Sequence, residues 1–329
     1  MTLLDDFIVS FDVWEQARPY LGMMVDEPEM RLIVLMKGKA VTVDQVADLL
    51  GMIRDQAAEF LARCYSRGMV NKKVENSVTT FSPADFYKRL DYFVKYENWD
   101  DIPPDARKMI DRRYLDEFIA RQRPKVEELM RSGQPGGTLS NGAVMLLSEI
   151  EEMIEAATDI VVSPCDCRRL GQNCTRPVET CIAFDQSALD MLDRGHGRRL
   201  TKAEAQNLVR RADKKGLMHT ADSEWRTRGL HELCNCCVCD CYPFRAAQEL
   251  GSKGFWPKSR YIAVYDREQC NLCGACVKRC HFDAFYHTGM RVEIEGKARP
   301  DVQFDLTKCW GCGLCVNGCP SEAIVMERL

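Results

Sequence analysis

The chain has 329 residues, of which 46% are apolar and 29% charged, and its formal net charge is −4 at pH 7. This balance is typical of a folded protein of two or three domains and excludes a disordered chain. The slight negative charge gives no general attraction to nucleic acid or anionic lipid. Residues 1–16, MTLLDDFIVSFDVWEQ, have neither the basic start nor the apolar core of a signal peptide, and no run of 18 apolar residues predicts a membrane span. We therefore expect a cytoplasmic protein.

Cysteine is distributed very unevenly. Of 18 cysteines, Cys64 stands alone in the first 164 residues, and the other seventeen lie between Cys165 and Cys319. In a reducing cytosol, grouped cysteines are metal ligands more often than disulfide partners. Cys64 lies in a helical pattern, AAEFLARCYSR, and is interpreted as a buried apolar residue.

Residues 28–82 have the pattern of three helices followed by a hairpin. The helical runs are PEMRLIVLMKGK, TVDQVADLLG and MIRDQAAEFLARCYSRG, and the second has a capping box from Thr42 to Gln45 and ends at Gly51. The strand-like runs GMVNKK and SVTTF flank a turn at Glu75–Asn76. This order predicts a winged-helix-like domain over residues 1–82.

The charges of this domain argue against DNA binding. Acidic and basic residues balance, eight of each, between Asp26 and Ser82. The third helix has Asp55 and Glu59 where phosphate contacts would need Arg or Lys. We expect no nucleic acid partner and interpret the domain as a docking or structural module.

Residues 83–137 are predicted to be a helical connector, which ends in a Gly-rich linker at Gly133–Gly137. Residues 138–257 follow as a mainly helical, cysteine-rich module. Its first helix, SEIEEMIEAA, is predicted to begin with a capping box from Ser148 to Glu151. Two more helices, FDQSALDMLDRG and TKAEAQNLVRRADKKGL, should fold its second cysteine group back onto the first, and the latter has a Thr201–Glu204 capping box.

The cysteine-rich module contains nine cysteines in two groups. The first group is Cys165, Cys167, Cys174 and Cys181, and the second is Cys234, Cys236, Cys237, Cys239 and Cys241. Nine thiols are enough for one or two additional [4Fe–4S] clusters, and a structural zinc ion is also possible. The C-x-C spacing does not assign partners, although neighbours such as Cys236 and Cys237 should point apart and could serve different clusters. The basic runs at 168–170 and 197–200 could balance cluster charge or form a solvated or docking face.

Residues 258–329 carry the most specific motif. CNLCGACVKRC and CWGCGLCVNGCP each have the spacing C-x2-C-x2-C-x3-C, which is that of a bacterial-type ferredoxin with two [4Fe–4S] clusters. Because the fourth cysteine of each run ligates the other cluster, the predicted sets are Cys270, Cys273, Cys276 and Cys319 for cluster 1 and Cys309, Cys312, Cys315 and Cys280 for cluster 2. A pair of zinc sites would need neither the third cysteine nor the x3-C step.

The first run departs from the usual pattern at one position. His281 follows its fourth cysteine, where the second run has Pro320. This change could alter the potential of the second cluster. Among the other histidines, His196 and His219 are predicted to be hydrogen-bonding residues, and His231 is the one nearest a possible cluster.

The combined motifs resemble a known protein family. They are SPCDCR, the spaced Cys174 and Cys181, GHGRRLTKAEA, GLMH and CNCCVCDC, together with the ferredoxin pattern and the winged-helix-like start. They are similar to multi-cluster 4Fe–4S ferredoxin-type proteins of anaerobic bacteria and archaea. Members of that family have a third consecutive cysteine where this chain has Asp240, so a thiol at that position is not essential here.

These observations predict an α+β protein with a winged-helix-like N-terminal domain, a mainly helical cysteine-rich module and a ferredoxin-like βαβ repeat. No dinucleotide fingerprint, P-loop or nucleophile elbow is present. The predicted function is electron transfer, as a subunit or dedicated redox partner of an anaerobic oxidoreductase. The alternatives are an oxidoreductase with a catalytic non-standard cluster in the middle module and an iron–sulfur redox-sensing regulator.

Overall fold

A computed structural model describes residues 2–134, 142–294 and 296–329. The chain is a mixture of helices and antiparallel sheets, which confirms the α+β class. In the described part of the chain, no helix has both the length and the apolar character needed to cross a bilayer.

The chain divides into two compact units. The N-terminal unit comprises Met1–Asp116, Arg169–Gly171 and Asp193–His196, and the C-terminal unit comprises Glu117–Arg168, Gln172–Leu192 and Gly197–Leu329. The predicted four-domain division stays a prediction, and its boundary between residues 137 and 138 lies outside the described residues, as does most of the predicted linker.

The N-terminal unit is built from helices and one hairpin. Its elements are α1 (Leu3–Ser10), a 3₁₀ helix (Glu15–Tyr20), α2 (Leu21–Met24), α3 (Glu27–Met36), α4 (Val43–Leu50), α5 (Arg54–Ser66), β1 (Val70–Glu75), β2 (Val78–Pro83), α6 (Phe86–Tyr96), a second 3₁₀ helix (Trp99–Asp101) and the start of α7 (Pro104–Ser132).

Local sequence explains where these elements begin and end. The Thr42 hydroxyl accepts from the amide of Gln45, as the capping box predicts, and α4 ends at Gly51 with φ of 65°. In the hairpin, Asn76 and Ser77 have φ of 48° and 63°, which turns β1 into β2. The order of three helices and a hairpin is therefore as expected.

A buried charged network fastens α6 to the rest of this unit. Arg89, which is inaccessible to solvent, donates from Nε to the carbonyl of Met24 at 2.8 Å and pairs with Glu97 at 2.7 Å. Arg67 pairs at 3.0 Å with the buried carboxylate of Glu29. Buried charges require such partners because desolvation is costly.

The C-terminal unit contains the remaining elements. They are β3 (Ala143–Met145), α8 (Leu147–Ala156), β4 (Ile160–Pro164), α9 (Asp166–Gly171), β5 (Glu179–Phe184), α10 (Asp185–Asp193), β6 (Arg198–Arg199), α11 (Lys202–Lys214), β7 (Met218–Ala221), α12 (Trp225–Arg228), β8 (Glu232–Cys236), α13 (Tyr242–Leu250), β9 (Tyr261–Tyr265), α14 (Ala275–Arg279), β10 (Phe285–Ile294), β11 (Lys297–Phe304), a 3₁₀ helix (Leu306–Lys308), α15 (Leu314–Asn317) and β12 (Ile324–Arg328).

A six-stranded antiparallel sheet organises the cysteine-rich segment, in the order β3-β7-β8-β5-β4-β6. The predicted helices are present as α8, α10 and α11, but a mainly helical description missed this sheet. Its strands have only two to six residues, so their alternation is too short to be distinctive.

Two capping predictions for this segment have different outcomes. The Thr201–Glu204 box begins α11 as expected. The Ser148–Glu151 box is wrong: α8 begins two residues earlier, and the carboxylate of Glu149 accepts from the Leu146 amide at 3.0 Å. Glu149 also pairs with Arg260 at 2.8 Å, and this pairing favours the earlier start.

The predicted ferredoxin domain, residues 258–329 and called the ferredoxin segment below, is formed by two β-α-β halves. β9 pairs with β12 and β10 with β11, both antiparallel, so the first strand lies beside the last. Six of its eight cysteines pack with Phe285, Val302 and Ile324 in one apolar core.

Candidate metal centres

The two cysteine runs of the ferredoxin segment have the same local structure. Gly274 and Gly313 have φ of 71° and 75°, and each precedes a short helix, α14 or α15. Only glycine adopts this left-handed conformation at little cost. The repeated glycine turn lets each cysteine loop fold back on itself.

Backbone amides donate to cysteine sulfurs in this segment. The donors are Leu272 to Cys270 at 3.3 Å, Ala284 to Cys280 at 3.3 Å and Gly311 to Cys309 at 3.4 Å. Amide hydrogen bonds to sulfur stabilise a thiolate and tune the potential of a cluster that it holds. This donor chemistry fits iron–sulfur ligation.

Electrostatic interactions connect these thiols in two sets. In addition to burial, the charges of Cys270 and Cys273 raise the pKa of Cys276, while those of Cys280 and Cys309 raise the pKa of both Cys312 and Cys315. Burial is the main cause that raises the pKa of Cys276 and of Cys312, each to about 12. Cys280 thus lies near thiols of the second run, and its assignment to cluster 2 stays a prediction. The sulfur of Cys319 lies 3.7 Å from Ser321 Oγ, and its assignment to cluster 1 stays a prediction.

Six thiols of the cysteine-rich segment form a closed ring. Each makes hydrogen-bond contacts with two neighbours in the order Cys165, Cys167, Cys241, Cys236, Cys234, Cys181 and back to Cys165. The ring joins both sequence groups, as the predicted fold-back requires. Six of the nine thiols of this segment therefore lie close together.

Strand geometry explains which cysteines enter the ring. Cys234 and Cys236 are two residues apart on β8 and therefore share a face of the sheet. Cys237 lies just beyond the strand and belongs to a different group of thiols. The neighbours Cys236 and Cys237 thus point apart, as expected.

The ring thiols have opposite pKa shifts. Hydrogen bonds from Cys167 and Cys181 hold the pKa of Cys165 well below its usual range, helped by the charge of Arg168. Hydrogen bonding with Cys165 and Cys241, followed by burial, raises the pKa of Cys167. Because metal ligands are thiolates, loading such a ring would release protons.

Arg168 is the principal buried cation beside these thiols. It is 2% exposed, and its Nη2 donates to the carbonyl of Asn235 at 2.7 Å. Burial alone would lower the pKa of Arg168, but the negative charges of nearby thiolates, chiefly those of Cys165 and Cys237, outweigh burial and raise it. A fixed guanidinium here offsets thiolate charge, which was one of the roles considered for the basic run at 168–170.

A second, smaller group consists of Cys174, Cys237 and Cys239, whose sulfurs all lie within 4.8 Å of one another. The buried carboxylate of Asp240 joins it, with Oδ2 at 3.2 Å from the sulfur of Cys174. Its Oδ1 accepts from both the backbone and side-chain nitrogens of Asn173, each at 2.9 Å. The nine cysteines are thus divided six and three.

The histidines contribute hydrogen bonds. His219 is buried and bonds from Nδ1 to Asn235 Oδ1 at 2.8 Å, and His196 bonds from Nε2 to the Ser66 carbonyl at 2.7 Å. Both confirm the hydrogen-bonding prediction. His281 donates from Nε2 to the carbonyl of Gly216 at 2.6 Å, and His231 is exposed.

Sequence reasoning missed two acidic residues beside these thiols. Asp240 was interpreted as a departure from the family pattern and as a sign of a cluster with fewer thiolates, not as a ligand, and Asp166 was not considered, although its carboxylate lies within 4.8 Å of Cys165 and Cys181. The adjacency of Asp240 to Cys239 and Cys241 was the available signal.

Comparison with known proteins agrees with the site geometry at the C-terminus. Residues 269–323 match the family model of the 4Fe–4S dicluster domain. Over the chain as a whole, no curated protein and no solved structure matches. The chain therefore carries a ferredoxin-type 4Fe–4S dicluster domain at residues 269–323.

Proposed function

We propose that this chain is an electron-transfer protein, a subunit or dedicated redox partner of an anaerobic oxidoreductase. Two [4Fe–4S] clusters would be held by the predicted ferredoxin cysteines and one further cluster by the six-thiol ring. A [4Fe–4S] cluster bound at such thiolates exchanges single electrons with its neighbours.

One contact carries this proposal. Cys236 and Cys241 of the ring and Cys312 of the second ferredoxin set pack in the same apolar core, around Trp310 and Phe244. The ring and the ferredoxin segment therefore share one apolar core. Exclusion of water lowers the local dielectric and is one of the features by which a protein sets cluster potentials.

The chain's own residues also fix the two thiol sets relative to each other. Phe282 stacks on Trp310 with ring centroids 4.8 Å apart, and Phe244 meets Trp310 edge-on at 5.4 Å. Such aromatic pairs add about 0.5–1.5 kcal/mol each beyond burial. A rigid spacer of this kind holds redox centres at a constant separation.

The N-terminal unit is proposed as a docking module. Its cations are largely paired within the unit, in the ion pairs Arg31–Glu27, Arg54–Asp44, Arg63–Asp26, Lys72–Asp193 and Lys73–Glu75. The apolar side chains of Ile53, Val74 and Val78 are exposed. Paired charges with exposed apolar residues suit protein contact better than a phosphate backbone.

Iron and acid-labile sulfide per chain test this proposal, measured on protein purified without oxygen. About 12 iron atoms are expected, since each cubane contributes roughly 4. Cys236→Ala should lower the count by about 4, while Cys64→Ala, a matched control remote in sequence from every motif, should leave it unchanged. A count of about 8, unaffected by Cys236→Ala, would refute a cluster in the ring.

A second candidate is favoured by the ligand number of the ring. Six thiols exceed the four that a cubane uses, so a larger or non-standard cluster with catalytic activity would also explain it. The iron content and the spectrum of the reduced protein distinguish the two candidates. An electron-transfer protein gives the spectral signals of cubanes alone, whereas the enzyme would contain more than about 12 iron atoms per chain and give a non-cubane spectrum.

A further inference from the structure

The sulfurs of Cys174, Cys237 and Cys239, with the carboxylate of Asp240 beside them, lie closer together than the described thiols of the ferredoxin segment. The sulfurs of Cys174 and Cys237 are 3.8 Å apart, and Asp240 Oδ2 lies 3.2 Å from the first and 3.7 Å from the second. Two sulfurs and one carboxylate oxygen thus lie within 4 Å of one another.

These distances match the edges of a single-ion coordination tetrahedron. With metal–sulfur bonds of about 2.3 Å and metal–oxygen bonds of about 2.0–2.2 Å, tetrahedral geometry places two sulfurs about 3.8 Å apart and a sulfur and an oxygen about 3.5 Å apart. The third sulfur, Cys239, lies within 4.8 Å of the other two. Because the Asp240 carboxylate is not within 4.8 Å of this sulfur, Cys239 has to move by more than about 1 Å toward the carboxylate when the ion binds.

The ferredoxin segment provides an internal comparison. Within the described residues, its eight cysteines form no group whose sulfurs all lie within 4.8 Å. Wider spacing is what a cubane requires, because each thiolate binds a different iron atom. Among the residues that the structure describes, the chain thus has widely spaced thiols where the dicluster domain matches and, elsewhere, one group of three mutually close sulfurs.

Asp240 is held in the orientation of a ligand. It is fully buried, and both hydrogen bonds from Asn173 go to Oδ1, which leaves Oδ2 directed at the sulfurs of Cys174 and Cys237. Hydrogen bonds that orient a ligating carboxylate in this way are typical of metal sites. As thiols, Cys174 and Cys237 donate to Oδ2; as thiolates, they would repel this buried carboxylate unless a cation lay between them.

The surrounding charges suit a divalent ion. Three thiolates and a carboxylate carry four negative charges, of which a divalent ion neutralises two. Arg176 donates from Nη1 to the sulfur of Cys239 at 3.4 Å, and the buried guanidinium of Arg168 interacts with Cys237. These two arginines offset the remainder.

We propose that Cys174, Cys237, Cys239 and Asp240 bind one zinc ion in a closed tetrahedral Cys₃Asp site, separate from the iron–sulfur clusters. All four positions are filled by protein atoms, which is the pattern of a structural rather than a catalytic zinc site. The ion would clamp the loop after α9 to the turn after β8. This site is independent of whether the ring carries electrons.

The test is metal content of the full-length protein, purified without oxygen and dialysed against a chelator. About one zinc per chain is expected beside the iron, because closed structural sites bind zinc tightly. Cys174→Ser should remove the zinc and leave iron and sulfide unchanged. Asp240→Ala should weaken zinc binding at least about tenfold, and Asp240→Cys should restore it with a fourth thiolate.

Cobalt substitution gives a readout that a merely structural role for Asp240 would not change. The thiolate-to-cobalt absorption should shift between the wild-type S₃O set and the S₄ set of Asp240→Cys. Loss of about four iron atoms from Cys174→Ser would overturn the proposal, since the site would then hold a cluster. Retention of zinc with unchanged affinity in Asp240→Ala would also overturn it.

Discussion

Arg279 and Asp213 form an ion pair in which Nη2 lies 2.8 Å from Oδ2. The same guanidinium donates from Nε to the carbonyl of Leu314 at 2.6 Å, and Asp213 Oδ1 accepts from Asn317 Nδ2 at 2.8 Å. The pair fastens the end of α14 to α11. Because Arg279 immediately precedes Cys280, it also helps to position the thiol assigned to the second cluster.

Replacing Arg279 with alanine should destabilise the C-terminal unit by about 3 kcal/mol, because the mostly buried Asp213 would lose its partner. Arg279→Lys keeps the charge but loses the fork of donors and should recover only part of this. The measurement is urea denaturation without oxygen, followed by visible absorbance. If Arg279→Ala with Asp213→Asn is no less destabilised than the sum of the two single variants, the pair has no coupling.

Acidification should loosen the N-terminal unit through His196. Its ring stacks on Tyr96 with centroids 3.8 Å apart, and burial lowers its pKa from the ordinary 6.5. Below pH 6.5, His196 binds a proton in the unfolded chain but not in the folded chain. The free energy of unfolding therefore falls as the pH drops from 6.5 through the lowered pKa. Hydrogen exchange in α5 and α6, corrected for intrinsic rates, should report this loss.

His196→Gln is the matched control for this prediction. Glutamine keeps a donor for the Ser66 carbonyl but does not titrate, so the pH dependence over this range should flatten. An identical dependence in wild type and His196→Gln would show that another group is responsible.

Cys64 should be unreactive in the folded protein. It is fully buried, and burial raises the pKa of its thiol well above the usual range. Peptide mapping after alkylation should find it unlabelled until denaturant is added. Cys64→Ser should cost about 1–3 kcal/mol through its buried hydroxyl, and labelling under native conditions would contradict the packing described.

The N-terminal unit should not bind duplex DNA. Asp55 and Glu59 are exposed on α5, and the Arg54 and Arg63 guanidiniums pair with Asp44 and Asp26. Fluorescence anisotropy at low salt should therefore give a Kd weaker than about 10⁻⁴ M. Asp55→Lys with Glu59→Lys should strengthen binding. Micromolar, salt-dependent binding by the wild type would instead support the redox-sensing regulator.

Much of the N-terminal unit could be predicted from local patterns. Helices α3, α4 and α5 and the hairpin follow from apolar periodicity, the Thr42 capping box and the turn at Asn76, all of which act within a few residues. The six-stranded sheet could not be predicted, because its short strands are defined by pairing partners far away in sequence.

The sequence alone determined the 4Fe–4S dicluster motif at the C-terminus and predicted its ligand pattern. In each C-x2-C-x2-C-x3-C run, the first three thiols belong to one loop, so spacing along the chain is enough to bring them together. The division of the nine other cysteines was decided by tertiary structure. Alternation along β8 sends Cys236 to the ring, and the turn beyond it sends Cys237 to Cys174, some sixty residues earlier. Contacts across such a separation depend on the folded sheet, which is why the role of Asp240 emerged only from the structure.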